Sequence, residues 1–169
     1  MRKFIGISLA FLFLLNFQIP VLGYHSFDKV CSCDDKELLR IDSVVSDIQS
    51  TVHSIKPLVT VIDSITVLNA YYREGYILEV EIVTNTPVLK RRCIYYIENG
   101  FLIKVLEKNY DLRDNEMKEP VETTHYYFKD DKMICWLTNE LESVPRNKVY
   151  ETTERTLLNN IDKYFLMIQ

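Results

Sequence analysis

Three stretches decide how this chain folds: Tyr71-Tyr72-Arg73-Glu74-Gly75-Tyr76-Ile77-Leu78, Tyr95-Tyr96-Ile97-Glu98-Asn99-Gly100-Phe101-Leu102-Ile103 and Tyr126-Tyr127-Phe128-Lys129-Asp130-Asp131-Lys132-Met133-Ile134. Each is an aromatic strand, a polar two-residue turn and an apolar strand. Asn99-Gly100 is the preferred pair for a type I′ turn, whose two central residues need positive φ. Glu74-Gly75 and Asp130-Asp131 are weaker versions of the same device. One hairpin is used three times, and its alternation predicts an antiparallel sheet. Counting outward from the turns gives a register. Tyr96 faces Ile103, Ile94 faces Val105, Tyr95 faces Lys104 and Cys93 faces Leu106. Phe128 faces Met133, Tyr126 faces Cys135 and His125 faces Trp136. In the first hairpin Tyr71, Leu78, Val80 and Ile82 share one face, with Glu79 and Glu81 on the other.

Amphipathic segments bracket the hairpins. Leu38, Ile41, Val45, Ile48, Val52 and Ile55 form an apolar stripe over residues 34–56, with Asp34 and Asp35 at the start and Pro57 at the end. This helix is expected to dock on a sheet rather than to form a coiled coil. A second helix is predicted from Thr153 to Ile168, striped by Leu157, Leu158, Ile161, Tyr164, Phe165 and Ile168 and capped by Thr152 or Thr153. Residues 109–121 read as a polar loop. The expected fold is α+β, an antiparallel meander of about six strands between an N-terminal and a C-terminal helix. The whole of 34–169 is one domain on this reading.

Residues 1–23 read as a secretory signal. Arg2 and Lys3 precede an apolar run from Phe4 to Leu15, which Asn16, Gln18 and Pro20 interrupt. Cleavage is expected between Gly23 and Tyr24, because the run is short for a membrane span. Tyr24 stands where a lipoprotein would need cysteine. The mature protein is therefore expected outside the cytoplasmic membrane, periplasmic or secreted, without lipid and without a span. Residues 24–33 form an N-terminal segment with a Cys-x-Cys pair. Its Cys31 and Cys33, with Cys93 and Cys135, make four cysteines in an oxidising compartment. A Cys31–Cys33 ring is cramped. Cys93 and Cys135 fall on strands separated by two others, about 14 Å apart at the usual strand spacing. Bridges are expected to tie Cys31 or Cys33 to the sheet, and no metal site is expected from this spacing.

The unit Tyr95 to Leu102 resembles the bacterial variant of the MORN repeat, a Tyr pair, a short polar turn ending in Gly, and a Leu. Residues 66–138 are also similar to small exported proteins of Bacteroidetes type with a Tyr-Tyr-Phe turn unit and an Ile-x-Trp-Leu strand, here Ile134 to Leu137. Some MORN-like proteins are described as antitoxins, and that is the role the resemblance suggests.

The composition sets limits. The 169 residues carry 20 basic and 24 acidic side chains, a net charge of −4, without the basic face that nucleic acid needs. Loss of Arg2 and Lys3 with the signal would take this to −6. Only Gly75 and Gly100 fall after the signal, so no phosphate-cradling loop and no cofactor is expected. Glu79, Glu81 and His125 are the candidates for an extracytoplasmic hydrolase, with His125 expected to pack beside Trp136. Cys135 is placed on the face opposite His125, which defeats a thiol dyad. Lys90, Arg91 and Arg92, with Lys104 and Lys108, outline a small basic patch. The aromatic supply is the stronger signal. Two helices are too few to cover both faces, so Tyr71, Tyr72, Tyr95, Tyr96, Tyr126, Tyr127 and Trp136 are expected to include an open, protein-binding surface. The function expected is a non-enzymatic inhibitor or immunity protein; a glycan-binding envelope protein is the rival.

Overall fold

The computed structural model describes residues 33–113, 119–139 and 142–168. The signal segment, the Gly23–Tyr24 site and Cys31 lie outside the described residues. The order is α1 (Asp35–Val52), β1 (Leu58–Val61), β2 (Thr66–Arg73), β3 (Tyr76–Asn85), β4 (Leu89–Glu98), β5 (Phe101–Asp111), β6 (Glu122–Lys129), β7 (Lys132–Leu137) and α2 (Lys148–Met167). The strands form one antiparallel meander in chain order. It has seven strands, not six. β1 escapes a periodicity reading because it has four residues and is followed at once by the Asp63-Ser64 turn.

All three hairpins close as the turn chemistry demands. Glu74 and Gly75, Asn99 and Gly100, and Asp130 and Asp131 all have φ between +50° and +85°. The register departs from expectation at the same place in each. One residue bulges out at the third position after the turn: Leu78, Ile103 and Ile134 have no partner across the ladder. Tyr71 therefore faces Glu79, Tyr96 faces Lys104, Tyr95 faces Val105 and Tyr127 faces Cys135. His125 lies opposite Leu137, and Tyr126 opposite Trp136. A bulge sets two consecutive side chains toward one face, so beyond it every assignment flips. Phe128 opposite Met133, inside the bulge, is as expected.

The bulges decide what each helix touches. On one face Leu78, Ile103, Ile134 and Cys135 join Ile94, Tyr96, Leu106 and Tyr127 beneath α1, which brings Ile41, Val45, Ile48 and Val52. On the other, Leu68, Val80, Tyr95, Val105, Tyr126 and Phe128 pack against Tyr150, Leu157 and Ile161 of α2. The sheet is thus the middle of three layers, and one helix per face suffices. α1 is capped by Asp34, which accepts from the Lys36 N–H. It stops at Val52, short of Pro57. α2 begins five residues earlier than expected, where Asn147 accepts from the Val149 and Tyr150 N–H groups. Its first turns are hidden in sequence because Glu154, a residue that reads as solvent-facing, turns inward to accept from the Met133 N–H at 2.8 Å. Cys33 bonds to Cys135 with Cα atoms 5.4 Å apart, fixing the start of α1 to β7. Cys93 is a buried free thiol on the α2 side, its pKa pushed up to about 11 by burial.

Candidate functional site

The residues expected to form an open aromatic face do not form one. Tyr95, Tyr96, Tyr126 and Tyr127 are buried, and Tyr71, Tyr72 and Trp136 are half-buried. The hydroxyls of Tyr72, Tyr96 and Tyr127 are used internally. Gln49 Nε2 donates to the Tyr96 hydroxyl at 2.8 Å, and the Tyr72 hydroxyl donates to the Ile168 carbonyl at 3.2 Å. Tyr95 stands edge-on to Tyr164 of α2, with ring centroids 5.5 Å apart. Burial raises the pKa of Tyr95, Tyr96, Tyr126 and Tyr127. They are anchors for the helices.

The polar groups that sequence singled out are scattered among structural roles. Lys104 is buried and donates to Asp42 Oδ1 of α1 at 2.5 Å and to the Tyr127 hydroxyl at 3.1 Å. Arg91 pairs with Glu107 at 2.8 Å. Arg92 donates to Glu81 at 2.7 Å, and Asn69 to the other Glu81 oxygen at 2.9 Å. Arg91 is on the α2 face, while Lys90, Arg92, Lys104 and Lys108 share the α1 face, where Glu81 and Asp42 neutralise Arg92 and Lys104. Glu79 and Glu81 lie side by side on the α1 face, both buried. Burial, reinforced by the Glu81 charge and opposed by Arg92, raises the Glu79 pKa to about 7. His125 is in the same cross-strand row as Glu81 but three strands away, about 14 Å at the usual spacing. Burial lowers its pKa, and Lys104 adds to the effect. It stacks on Tyr127, not on Trp136, which belongs to the α2 face. Cys135 does share the His125 face, contrary to expectation, but its sulfur is held in the bond to Cys33.

Among the described residues, the large exposed aromatic side chains lie at the hairpin tips. The residue after each turn points to the α1 side, and at two of the three it is aromatic: Tyr76, 71% exposed, and Phe101, 56% exposed. α1 crosses the sheet near this end. Between it and the first two tips runs a groove of about 520 Å³, with Val44, Ile48, Ile77, Leu78 and Ile97 along it and Arg73, Glu74 and Glu98 at its rim. A second groove of about 460 Å³ lies between the start of α1 and the second and third tips; Glu98 and Asn99 form the ridge between the two. Ion pairs hold α1 over this ridge. Arg40 bonds Glu98 at 3.0 Å and Glu37 at 3.2 Å, and Lys129 approaches Glu37 at 3.7 Å. The first groove is apolar with a charged rim, and the second is mixed, with Phe101 beside Glu37, Arg40 and Lys129. Such a surface admits an apolar side chain and orients its neighbours by charge. Sequence reasoning missed Phe101, although its position after a type I′ turn on the helix side was the available signal. Among the described residues no helix is long and apolar enough to cross a membrane, and no cluster of His, Cys, Asp and Glu has metal-binding form. No family model, curated protein or solved structure matches the chain.

Proposed function

We propose that this chain is an exported binding protein without chemistry of its own, and that its partner is another protein that docks on the hairpin tips beside α1. The observation that carries this reading is the apolar groove between α1 and the first two hairpins, with exposed Tyr76 in its lining and exposed Phe101 lining the adjoining groove across the Glu98–Asn99 ridge. Aromatic side chains that are exposed on a rigid hairpin lose little entropy on contact, and a groove beside them accepts an anchor. The rim charges of Arg73, Glu74 and Glu98 supply direction. An inhibitor or immunity role for an extracytoplasmic enzyme fits this arrangement, as does the likeness of the hairpin unit to MORN-like proteins. The Cys33–Cys135 disulfide agrees with an oxidising compartment. The test is recovery of the tagged protein from its own cells. A stoichiometric protein partner is expected, its affinity lowered at least tenfold when Tyr76 and Phe101 are both changed to Ala with the far-UV circular dichroism unaltered. Recovery of polysaccharide alone, or a protein partner indifferent to both substitutions, contradicts the proposal.

A further inference from the structure

The two edges of the sheet are finished differently. Along β7, the Val144 N–H donates to the Trp136 carbonyl at 2.8 Å and the Thr138 N–H to the Glu142 carbonyl at 3.1 Å. The Met133 carbonyl accepts from the Tyr150 hydroxyl at 2.9 Å and from Arg146 at 2.7 Å, and its N–H is taken by Glu154. This edge is closed. At β1, among the described residues, no strand or side chain caps the outer side. The Ile62 N–H donates to the Thr66 carbonyl at 3.0 Å, on the ladder that sets Val61 opposite Val67. By the alternation of an antiparallel ladder, Leu58, Thr60 and Ile62 turn their backbone groups toward β2, and Val59 and Val61 turn theirs outward. Val59 and Val61 are also 55% and 71% exposed. The strand Leu58-Val59-Thr60-Val61 is short, but it contains no charge, proline or bulge, three of the devices that protect an edge from pairing.

We propose that β1 is a self-association edge, at which two copies of the chain pair antiparallel about a two-fold axis through Thr60. In this register the outward groups match. Val59 and Val61 of each copy exchange N–H···O=C bonds with Val61 and Val59 of the other. Val59 packs on Val61 on the α1 side, Leu58 meets Ile62 on the α2 side, and Thr60 meets its own copy. Charge selects the orientation and favours a second copy over a foreign strand. Exposed Lys56 and Asp63 each lie two residues beyond an end of β1, so antiparallel pairing brings each Lys56 beside the Asp63 of the other copy. Parallel pairing would set like beside like. The two-fold axis is perpendicular to the sheet, so each helix layer continues across the junction on its own side. One short strand per copy makes a contact at the small end of the interface range, and the association is expected to be weak and concentration-dependent.

The test uses the purified, oxidised protein. Sedimentation from about 1 to 500 μM should show a reversible monomer–dimer equilibrium, weakened at least tenfold by Val61→Lys at unchanged circular dichroism. Thr60 of the two copies forms a non-hydrogen-bonded pair, whose Cα atoms lie about 4.5 Å apart, within disulfide reach. Thr60→Cys should therefore cross-link into a dimer whose peptide map shows the two introduced thiols joined to each other, several-fold faster than Val59→Cys. A monomer at every concentration overturns the proposal. So does a dimer in which Thr60→Cys links no faster than Lys132→Cys, or concentration-independent exchange protection of the Val59 and Val61 amides, which would mean that another segment of the same chain covers the edge.

Discussion

Glu79 is a buried carboxylate set beside a second one. It lies beneath α1, next to Glu81, whose own carboxylate is taken by Arg92 and Asn69. Its carboxyl rises from 4.5 to about 7, so between those values the folded protein holds a proton that the unfolded chain has lost. Stability from this group therefore falls as pH rises from about 4.5 to about 7 and is level above. His125, shifted downward by burial, contributes a slope of the opposite sign, so the comparison must be with a variant. Glu79→Gln is expected to raise stability at pH 8 by about 1–3 kcal/mol and to remove that part of the slope, as read from urea melts at several pH values. An unchanged slope would mean that the carboxylate is already solvated in the folded state. The turns give a second test at this scale. Asp131 holds φ +56° where the other two hairpins place Gly. Asp131→Gly is expected to stabilise by about 0.5–1 kcal/mol, by relieving the left-handed cost for a residue with a Cβ. Gly100→Ala, where an added Cβ meets nothing within 4 Å but φ is +84°, should destabilise by about 1 kcal/mol for the same reason.

Among the elements, α1 is fastened to the sheet by means that the bulges create. Ile103 bulges, Lys104 turns toward α1, and Asp42 meets it. Asp42→Ala leaves a buried ammonium with the Tyr127 hydroxyl as its remaining partner, and is expected to cost about 1–3 kcal/mol given that Asp42 itself is partly exposed. Lys104→Met should be near neutral, and the double variant should recover most of the loss in a thermodynamic cycle. The Cys33–Cys135 bond spans 102 residues of sequence, and replacing both cysteines with Ser is expected to cost about 3–5 kcal/mol in reversible melts. The hairpin tips, the existence of both helices and the exclusion of a Cys93–Cys135 bond were legible in the sequence, because turn chemistry and the order of successive hairpins are local. The bulges were not. Nothing in Leu78, Ile103 or Ile134 marks them as unpaired; the demand comes from α1, which needs Lys104 and Cys135 on its own side. The start of α2 was hidden for a similar reason, since Glu154 is recruited by the exposed N–H of Met133.

For the whole molecule, what the sequence concealed was the count of covering layers. Tyr alternates with aliphatic residues on both faces, and an amphipathic ring reads equally well as surface or core. Only the placement of one helix on each side decides it, closing the tyrosine pairs and leaving the aromatics at the tips. The candidate site was thus half legible: the hairpins that bear it were, while Tyr95, Tyr96, Tyr126 and Tyr127 drew attention away from Tyr76 and Phe101. The proposed binding surface lies at the end of the sheet where α1 crosses, distinct from the β1 edge. Photo-crosslinking in the intact cell tests this most directly. A benzophenone amino acid placed singly at position 76 or 101 should give one discrete protein adduct at both positions. The same probe at Val88 or Val149, exposed apolar positions elsewhere, should give none. Adducts at all four positions alike, or at 88 and 149 only, would contradict the account.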